Sequence, residues 1–417
     1  MGNKTKITIT NAYTWYNKGD AGILLATIDI LKKIYKNVEF NILSFTPKID
    51  EKKYCKDPCI NKVYSNILNP YPYKKGKIGR MFAIIKLFIR LIILHIRLKV
   101  CKSKTIDKID SLRVLRDSDI IIVCGGGFLG GKKYESIMHL YQIYIDTLFA
   151  KPVYIMGTSI EPIKKKTIKF LTERILKKVD FVFARERITY NYLSSFLQKN
   201  KYELIPDMAF ALKPQDIKID FIDNLTKDNN ILFGITVRNW NFPYSKNKKE
   251  AMNNYIKSIV DLMIKEFKIR KCKFIFIPQV TVYTGDDTII AKKIKNLLPK
   301  KNRNNFIIRS DDWSPNEIKS VIGKMNFFIG TRMHSNIFAT SMCIPTTAIA
   351  YEKKTNGIME TVGLEDYIVE IDQINSNILL EKIENMIKNE KQIRLKLNNR
   401  IIEINKEIQS KIEKVVK

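Results

Sequence analysis

Hydrophobic and polar positions follow two different periods along the chain. Short apolar runs bounded by polar residues or glycine predict buried β-strands, and longer stretches with an apolar residue every three or four positions predict helices. The predicted strands are Lys6–Thr10, Glu39–Ser44, Ile120–Val123, Val153–Met156, Phe181–Ala184, Leu232–Val237, Lys273–Ile277, Phe306–Ile308, Phe327–Gly330 and Thr346–Ala350. The predicted helices are Ala21–Lys36, Lys164–Lys177, Arg187–Phe196, Lys248–Phe267, Asp287–Leu297, Pro315–Gly323 and His334–Ser341.

The order of these elements predicts the fold class. Strands and helices alternate, which is typical of an α/β fold with parallel sheets covered on both faces. The polar segment 213–230 interrupts the alternation, and 417 residues exceed a single core. We therefore predict an N-terminal domain 1–215, a C-terminal domain 228–375 and a C-terminal helix 376–417. Two such halves predict two Rossmann-like, doubly wound domains facing a cleft, with ligands beyond the carboxyl ends of the strands.

One segment, Arg80–Lys102, departs from this pattern. It reads RMFAIIKLFIRLIILHIRLKVCK, and charge interrupts it too often for a bilayer span, which needs about 20 apolar residues. At about 100° per residue, Lys86, Arg90 and Arg97 form a basic stripe on an otherwise apolar helix. This is typical of a helix lying in a membrane surface; a helix buried against the first domain or in a dimer contact is the alternative. The predicted apolar face comprises Ile84, Ile85, Leu91, Ile92 and Leu98.

Net charge and rare residues narrow the function classes. Lys+Arg is 73 and Asp+Glu is 42, a formal net charge of +31, which indicates an anionic partner. The lysines are spread over the chain, and no nucleic-acid-binding motif accompanies them, so we predict no nucleic-acid binding. The six cysteines and three histidines complete no metal pattern. We therefore expect no metal and a reducing compartment.

The strand pattern begins within the first ten residues and leaves no room for a signal peptide, so the expected location is the cytoplasm.

Polar turns in the first half carry two candidate sites. Gly125, Gly126 and Gly127 follow an apolar strand, where glycine lets the backbone approach a ligand and leaves N–H groups available. A tight strand-to-helix turn is the alternative. Asn17 and Asp20 lie between the first strand and the first helix. A carboxylate in that turn could hold sugar hydroxyls, or it could cap the helix.

Cationic turns in the second half carry two more candidate sites. Arg238 follows the first strand of that half, and its planar guanidinium suits a carboxylate or phosphate; an interdomain salt bridge is the alternative. The sharpest local signal is GTRMHS, Gly330–Ser335. There Arg332, His334 and the N–H groups of a helix start converge, which predicts an anion site with a titratable proton donor.

A series of sequence motifs covers residues 10 to about 370. The motifs are NKGDAGI (Asn17–Ile23), DIIIVCGGGFLGG (Asp119–Gly131), MGTSIEPI (Met156–Ile163), ARERITYNYL (Ala184–Leu193), PDMAFAL (Pro206–Leu212), GITVR (Gly234–Arg238), FIPQ (Phe276–Gln279) and GTRMHSNIFATSMCIPTTAIAYEKK (Gly330–Lys354). The order and spacing of the set are specific, although each motif alone is weak. With this set the chain resembles the polysaccharide pyruvyl transferase family.

The resemblance implies a GT-B-like fold and a specific reaction. Pyruvate would pass from phosphoenolpyruvate onto two hydroxyls of a sugar, in a cell-surface polysaccharide or its lipid-linked precursor, as a ketal with release of phosphate. By analogy Arg238, Arg332 and His334 match the positions that hold the donor. We expect Ser335 to assist them and His334 to act as general acid. The acceptor would bind at Asn17, Asp20 and the Gly125–Gly127 loop. No cofactor and no metal are expected.

Two other function classes stay open. A nucleotide-sugar glycosyltransferase of the same fold would use the same glycine loops and arginine clamps, but it would release a nucleoside diphosphate. A non-enzymatic binder of anionic lipid or nucleic acid would show salt-dependent binding without turnover.

Overall fold

The chain folds as two compact units. The structure, a computed structural model, describes residues 4–69, 77–131, 134–281, 286–309 and 311–416. The first unit comprises residues 1–15, 23–208 and 408–417, and the second comprises 16–22 and 209–407. The sequence analysis placed the segment 16–22 in the N-terminal domain, whereas the structure places it in the second unit. It belongs to the second unit because Asn17 forms an antiparallel bridge with Val280 and the Lys18 N–H donates to the Gln279 carbonyl at 3.0 Å.

The first unit is built on a parallel sheet. Among its described residues the sheet has eight strands in the order β3-β2-β1-β4-β6-β7-β8, with β5 paired to β6. The strands are β1 (Thr5–Ala12), β2 (Val38–Ser44), β3 (Ile60–Ser65), β4 (Ile120–Val123), β5 (Gly126–Gly130), β6 (Val153–Glu161), β7 (Phe181–Ala184) and β8 (Tyr202–Leu204). The helices are α1 (Lys18–Ile34), whose first turn belongs to the second unit, α2 (Pro47–Tyr54), α3 (Lys77–Val100), α4 (Lys102–Lys108), α5 (Asp110–Arg116), α6 (Tyr134–Asp146), α7 (Lys166–Leu176) and α8 (Arg187–Ser194).

The second unit has a parallel sheet of its own. Its described residues form six strands in the order β11-β10-β9-β12-β13-β14. The strands are β9 (Ile231–Thr236), β10 (Cys272–Phe276), β11 (Phe306–Ile308), β12 (Phe327–Gly330), β13 (Thr346–Ala350) and β14 (Ile368–Glu370). The helices are α9 (Asp220–Lys227), α10 (Lys248–Ile269), α11 (Thr288–Leu297), α12 (Pro315–Gly323), α13 (Met333–Ser341), α14 (Lys353–Thr361), α15 (Ser376–Lys388) and α16 (Glu390–Val415), whose last residues belong to the first unit.

Strand order explains where ligands can bind. In chain order the strands of the second sheet run 3-2-1-4-5-6, the Rossmann arrangement, and the first sheet begins in the same way. The predicted parallel-sheet α/β class is therefore confirmed for both units. In such sheets the order reverses between the first and fourth strands, and ligands bind beyond the carboxyl ends there. That point lies between β9 and β12 in the second unit.

Apolar strand residues build the cores. In the second unit Phe233 stacks on Phe274 and on Phe327, with ring centroids 4.8 and 5.3 Å apart. Strands buried on both faces require such continuous apolar runs, which made the central strands visible in the sequence. The pattern missed four strands. One is β5, in which glycine takes the place of an apolar run. The other three are β3, β8 and β14. These strands are short or alternate with charged residues at the sheet edge, so their apolar runs are interrupted.

Residues 376–416 form two helices, whereas the sequence predicts one. The break lies at Asn389, between α15 and α16. Its side-chain amide donates to the Tyr367 hydroxyl at 3.1 Å, and its N–H closes the last turn of α15. Asparagine commonly ends helices because its side chain competes for backbone and neighbouring partners.

Helix α3 packs on the first core with only one side. Leu87, Leu94 and Leu98 are buried in that core. Ile85 and Ile92 are about half exposed, at 47% and 55%. The predicted apolar face is thus corrected, because Leu98 is buried in the core and Leu91 is partly buried against it. Among the described residues, no helix combines the length and the apolar character that a membrane span requires.

A buried carboxyl group gives the first unit a pH-dependent stability. Asp146 on α6 is fully buried and accepts hydrogen bonds from Thr10 Oγ1 at 2.7 Å and Gln142 Nε2 at 2.9 Å. Burial raises the pKa of Asp146 from 3.8 to about 7. Between these values the folded state keeps a proton that the unfolded state releases. The contribution of Asp146 to the stability of the folded state is therefore complete below about pH 4, and it is lost as the pH rises through about 7.

We expect Asp146→Asn to remove this contribution. The melting temperature of the wild type, measured relative to that of the variant, should fall as the pH rises from about 4 to about 7. A constant difference between the two proteins across this range would show that Asp146 is not the titrating group.

Candidate functional site

Two neighbouring strands of the second unit bring the predicted cations to one edge of the sheet. Strands β9 and β12 are parallel, and Thr236 pairs with Gly330. Arg238 and Arg332 each follow their strand's paired end by two residues. Both therefore leave the sheet where the strand order reverses, which is the expected position for a ligand site.

The Thr236 hydroxyl holds the turn that carries Arg332. It accepts from the N–H groups of Thr331 at 3.0 Å and Arg332 at 3.3 Å, and it hydrogen-bonds Ser335 Oγ at 2.9 Å. Ser335 Oγ also donates to the Arg332 carbonyl at 2.6 Å, and Ser335 is fully buried. The Ser335 hydroxyl therefore positions the turn, and contact with a donor would require it to leave these bonds.

Arg332 forms a buried, two-pronged ion pair with Asp287. Arg332 Nε donates to Asp287 Oδ2 at 3.0 Å, and Nη2 donates to Oδ1 at 2.5 Å. The Asp287 side chain is 1% exposed. Burial raises the pKa of the Asp287 carboxyl, and the charges of Arg332 and Arg238 oppose that rise. Such a bidentate pair fixes the plane of the guanidinium. The sequence analysis missed Asp287, which it interpreted as the start of a helix.

Arg238 is held by aromatic rings. Its guanidinium carbon lies 4.1 Å from the ring centroid of Tyr351 and 4.8 Å from that of Trp240. The backbone N–H of Arg238 donates to the Tyr255 hydroxyl at 3.3 Å, and Tyr255 in turn hydrogen-bonds Thr331 Oγ1 at 2.9 Å. Within the described residues Arg238 forms no ion pair. Stacking on two rings thus orients the guanidinium for contact with an anionic ligand.

His334 lies at the start of α13 and packs on the first turn of α1. A Cβ built on Gly19 would lie only 2.1 Å from His334 Nδ1 and 2.7 Å from its Cβ. In the same turn the Asn17 amide donates to the Asp20 carboxylate at 2.5 Å. Asn17 and Asp20 were predicted to bind the acceptor from the N-terminal domain. They lie instead in the second unit, in the segment that contacts His334.

The Gly125–Gly127 loop lies in the first unit and has a structural explanation. A Cβ on Gly125 would lie 2.1 Å from the Met156 carbonyl oxygen, so only glycine allows this close approach. The chain then continues as β5, which pairs with β6, and the Thr158 hydroxyl donates to the Gly126 carbonyl at 3.2 Å. Gly126 and Gly127 therefore begin a strand, and the strand-to-helix turn that was the alternative is not present at these glycines.

The contact between Gly19 and His334 predicts a sensitive position. Gly19→Ala should displace the imidazole, because its new methyl group cannot share that space. We expect turnover to fall by about 10- to 100-fold, as for a misplaced catalytic group, with little change in donor affinity. Steady-state kinetics with purified protein would measure both. Gly357→Ala is the matched control, since a Cβ there has no neighbour within 4 Å. Equal activity of the two variants would contradict the placement of His334 in the site.

No group of three or more His, Cys, Asp and Glu side chains that could hold a metal ion occurs among the residues described. The site combines arginine, histidine, hydroxyl and aromatic side chains with the Asp287 carboxylate that holds Arg332, a set suited to anions and proton transfer.

Comparison with known proteins identifies the family. The model of the family described as polysaccharide pyruvyl transferase matches residues 17–353. The chain belongs to the polysaccharide pyruvyl transferase family. The matched range contains the motifs around Arg238 and Arg332–Ser335. This family member is also similar to the amylovoran biosynthesis protein AmsJ of Erwinia amylovora, with 22% identity over 417 residues and 93% of each chain covered. Both findings support a role in polysaccharide synthesis.

Solved structures confirm the GT-B-like fold of this pyruvyl transferase family member. UDP-GlcNAc 2-epimerase from Neisseria meningitidis has a TM-score of 0.59 at 13% identity, covering 99% of both chains. A ugt transferase from Siraitia grosvenorii has a TM-score of 0.58 at 10% identity, covering 99% of this chain and 100% of the other. A putative UDP-N-acetylglucosamine 2-epimerase from Listeria monocytogenes gives 0.57 at 11% identity, covering 95% and 91%. At such identities the likeness concerns the fold alone.

Proposed function

We propose that this protein transfers pyruvate from phosphoenolpyruvate onto two hydroxyls of a sugar and releases phosphate. The acceptor sugar would belong to a cell-surface polysaccharide or to its lipid-linked precursor. The family supports a transferase of polysaccharide synthesis, and the two arginines of the second unit support an anionic donor.

The observation that carries the proposal is the pair of arginines at one sheet edge. Phosphoenolpyruvate has a carboxylate and a phosphate, so it needs two cationic contacts. Arg238, stacked on two rings and without an ion pair among the described residues, would take one anionic group. Arg332, whose guanidinium plane Asp287 fixes, would take the other. Charge-assisted, planar contacts of this kind give both affinity and orientation.

The proposed chemistry balances without a cofactor or an oxidant. A protonated His334 donates its proton to the methylene carbon of the donor, which becomes the methyl group. One sugar hydroxyl attacks C2 and returns its proton to His334. The second hydroxyl then forms the other C–O bond as the C2–O bond to phosphate breaks, and its proton leaves with the phosphate. General acid catalysis of this kind contributes about 10²- to 10⁴-fold to a rate.

The acceptor contacts and the location are part of the same proposal. Asn17 and Asp20 offer an amide and a carboxylate in the turn that contacts His334, and such groups bind sugar hydroxyls. We retain the Gly125–Gly127 backbone as a proposed acceptor contact of the first unit. The reaction would take place in the cytoplasm at the inner face of the cell membrane, where a lipid-linked acceptor would be available.

A direct assay tests the proposed reaction. The purified protein is incubated with phosphoenolpyruvate and a panel of nucleotide sugars and lipid-linked sugars, and released phosphate is measured. Phosphate release that requires both donor and acceptor supports pyruvyl transfer. Release of a nucleoside diphosphate, without consumption of phosphoenolpyruvate, would identify a glycosyltransferase instead. Arg238→Ala, with the same fold but without the cation, shows whether the signal comes from this site.

A further inference from the structure

Helix α3 carries an exposed apolar surface that the proposed reaction does not use. We name it the α3 ridge: Ile78, Phe82, Ile85, Ile89, Ile92 and Ile96, which are 47–70% exposed. The opposite side of the helix inserts Leu87, Leu94 and Leu98 into the first core. At about 100° per residue the α3 ridge and these leucines point in roughly opposite directions. The helix is therefore apolar on two sides, and the core covers only one of them.

Cations lie along one flank of the α3 ridge. Lys86, Arg90 and Arg97 share one flank and are exposed. In the described part of the chain none of the three forms an ion pair. The sequence from 77 to 106 contains no Asp or Glu, and Lys102 and Lys104 continue the positive charge beyond the helix. An exposed apolar ridge with a basic flank is the pattern of a helix that lies in an anionic membrane surface.

We infer that α3 docks this protein on the surface of an anionic lipid bilayer. The apolar ridge enters the boundary between headgroups and acyl chains, and the basic flank contacts the lipid phosphates. With 24 residues the helix is about 36 Å long, and it can lie flat over its whole length. Membrane binding is independent of the proposed reaction, although it would bring that reaction to a lipid-linked sugar.

Charge distinguishes this occupant from a second copy of the chain. A symmetric pair of α3 helices would bring the same surface together from both partners. Lys86, Arg90 and Arg97 would then approach another set of cations in a segment without carboxylates. The exposed apolar arc also spans about 120°, from Met81 to Ile93, which is wider than the seam of a paired helix and fits a lipid surface.

Sedimentation with lipid vesicles tests the inference. The full-length protein should sediment with vesicles of phosphatidylcholine and phosphatidylglycerol at moderate salt, and much less with phosphatidylcholine alone. Changing Lys86, Arg90 and Arg97 together to Glu should weaken binding by about 100-fold or more, since each basic residue near an anionic surface contributes about a factor of five. Ile85→Asn combined with Ile89→Asn should also lower binding, through the lost apolar contact.

Helix α11 supplies matched controls. Lys292, Lys293 and Lys295 changed to Glu alter the net charge by the same amount at another surface helix. Ile289→Asn with Leu297→Asn replaces two side chains that are 60% and 55% exposed. These variants should keep the binding of the wild type.

Three results would overturn the inference. The first is a wild type that does not bind anionic vesicles. The second is equal loss of binding in the α3 and α11 variants, which would indicate diffuse charge attraction. The third is a dimer in analytical ultracentrifugation that the Ile85→Asn, Ile89→Asn variant dissociates, with no lipid binding by the wild type. Because the readout is binding, none of these results depends on whether pyruvyl transfer occurs.

Discussion

Replacing His334 by alanine should lower turnover by about 100-fold or more and leave the affinity for phosphoenolpyruvate nearly unchanged. The reason is that His334 would supply the proton that converts the methylene carbon of the donor into a methyl group, while the arginines bind the donor. The rate of phosphate release at saturating donor and acceptor measures turnover. Calorimetry with phosphoenolpyruvate measures donor affinity.

Two further measurements separate catalysis from packing. Added imidazole should restore part of the activity of His334→Ala, and the pH profile of the variant should lose one limb of the wild-type profile. His95→Gln is the matched control, because His95 lies on α3, where it contacts the rings of Tyr141 and Tyr144. A His334→Ala variant that retains nearly the full rate would exclude His334 as the general acid.

Replacing Arg238 should mainly weaken donor binding. Arg238→Ala removes a cation that has no ion pair in the described residues, so we expect a loss of about 2 kcal/mol, or roughly 30-fold in the dissociation constant. Arg238→Lys should rescue poorly, because an ammonium group cannot stack on Tyr351 and Trp240 with a planar face. Calorimetry with phosphoenolpyruvate measures both variants.

Another stacked arginine provides the control for Arg238. Arg309 lies 4.3 Å from the Phe221 ring centroid and is paired with Asp311, and Arg309→Ala should leave donor affinity unchanged. If Arg238→Ala and Arg309→Ala both bind donor as the wild type does, the donor site lies elsewhere.

The sequence allowed prediction of the central framework, because buried parallel strands are continuous apolar runs. Phe327–Gly330 and Ile120–Val123 were predicted with the bounds that the structure shows. The two cations at the strand ends could also be found, since Arg238 and Arg332 follow such runs directly. Strands such as β3 could not, because their charged residues break the apolar pattern.

The partners of these cations could not be predicted, because they come from distant parts of the chain. Asp287 reaches Arg332 across 45 residues, and Tyr351 reaches Arg238 only through the fold. The local sequence shows an acidic residue, Asp287, before a helix. It does not show which cationic side chain that residue will contact in the fold. The GDD sequence before α11 was the available signal, although helix capping explains it equally well.

The place of the turn Asn17–Asp20 illustrates the same limit. Its position after the first strand suggested the N-terminal domain. Its backbone bonds to Gln279 and its contact with His334 assign it to the second unit. Long-range backbone pairing of this kind leaves no local pattern in the sequence. The glycine at position 19 is the residue that reflects the contact, because a larger side chain would collide with His334.

The most direct test of pyruvyl transfer follows the donor carbon into the product. The protein is incubated with an accepting sugar and phosphoenolpyruvate labelled with ¹³C at C2, and the product is examined by mass spectrometry and ¹³C NMR. We predict one labelled pyruvyl group per sugar, with the labelled carbon in a ketal bonded to two sugar oxygens. A sugar product that carries no label, formed with release of a nucleoside diphosphate, would contradict the proposed reaction.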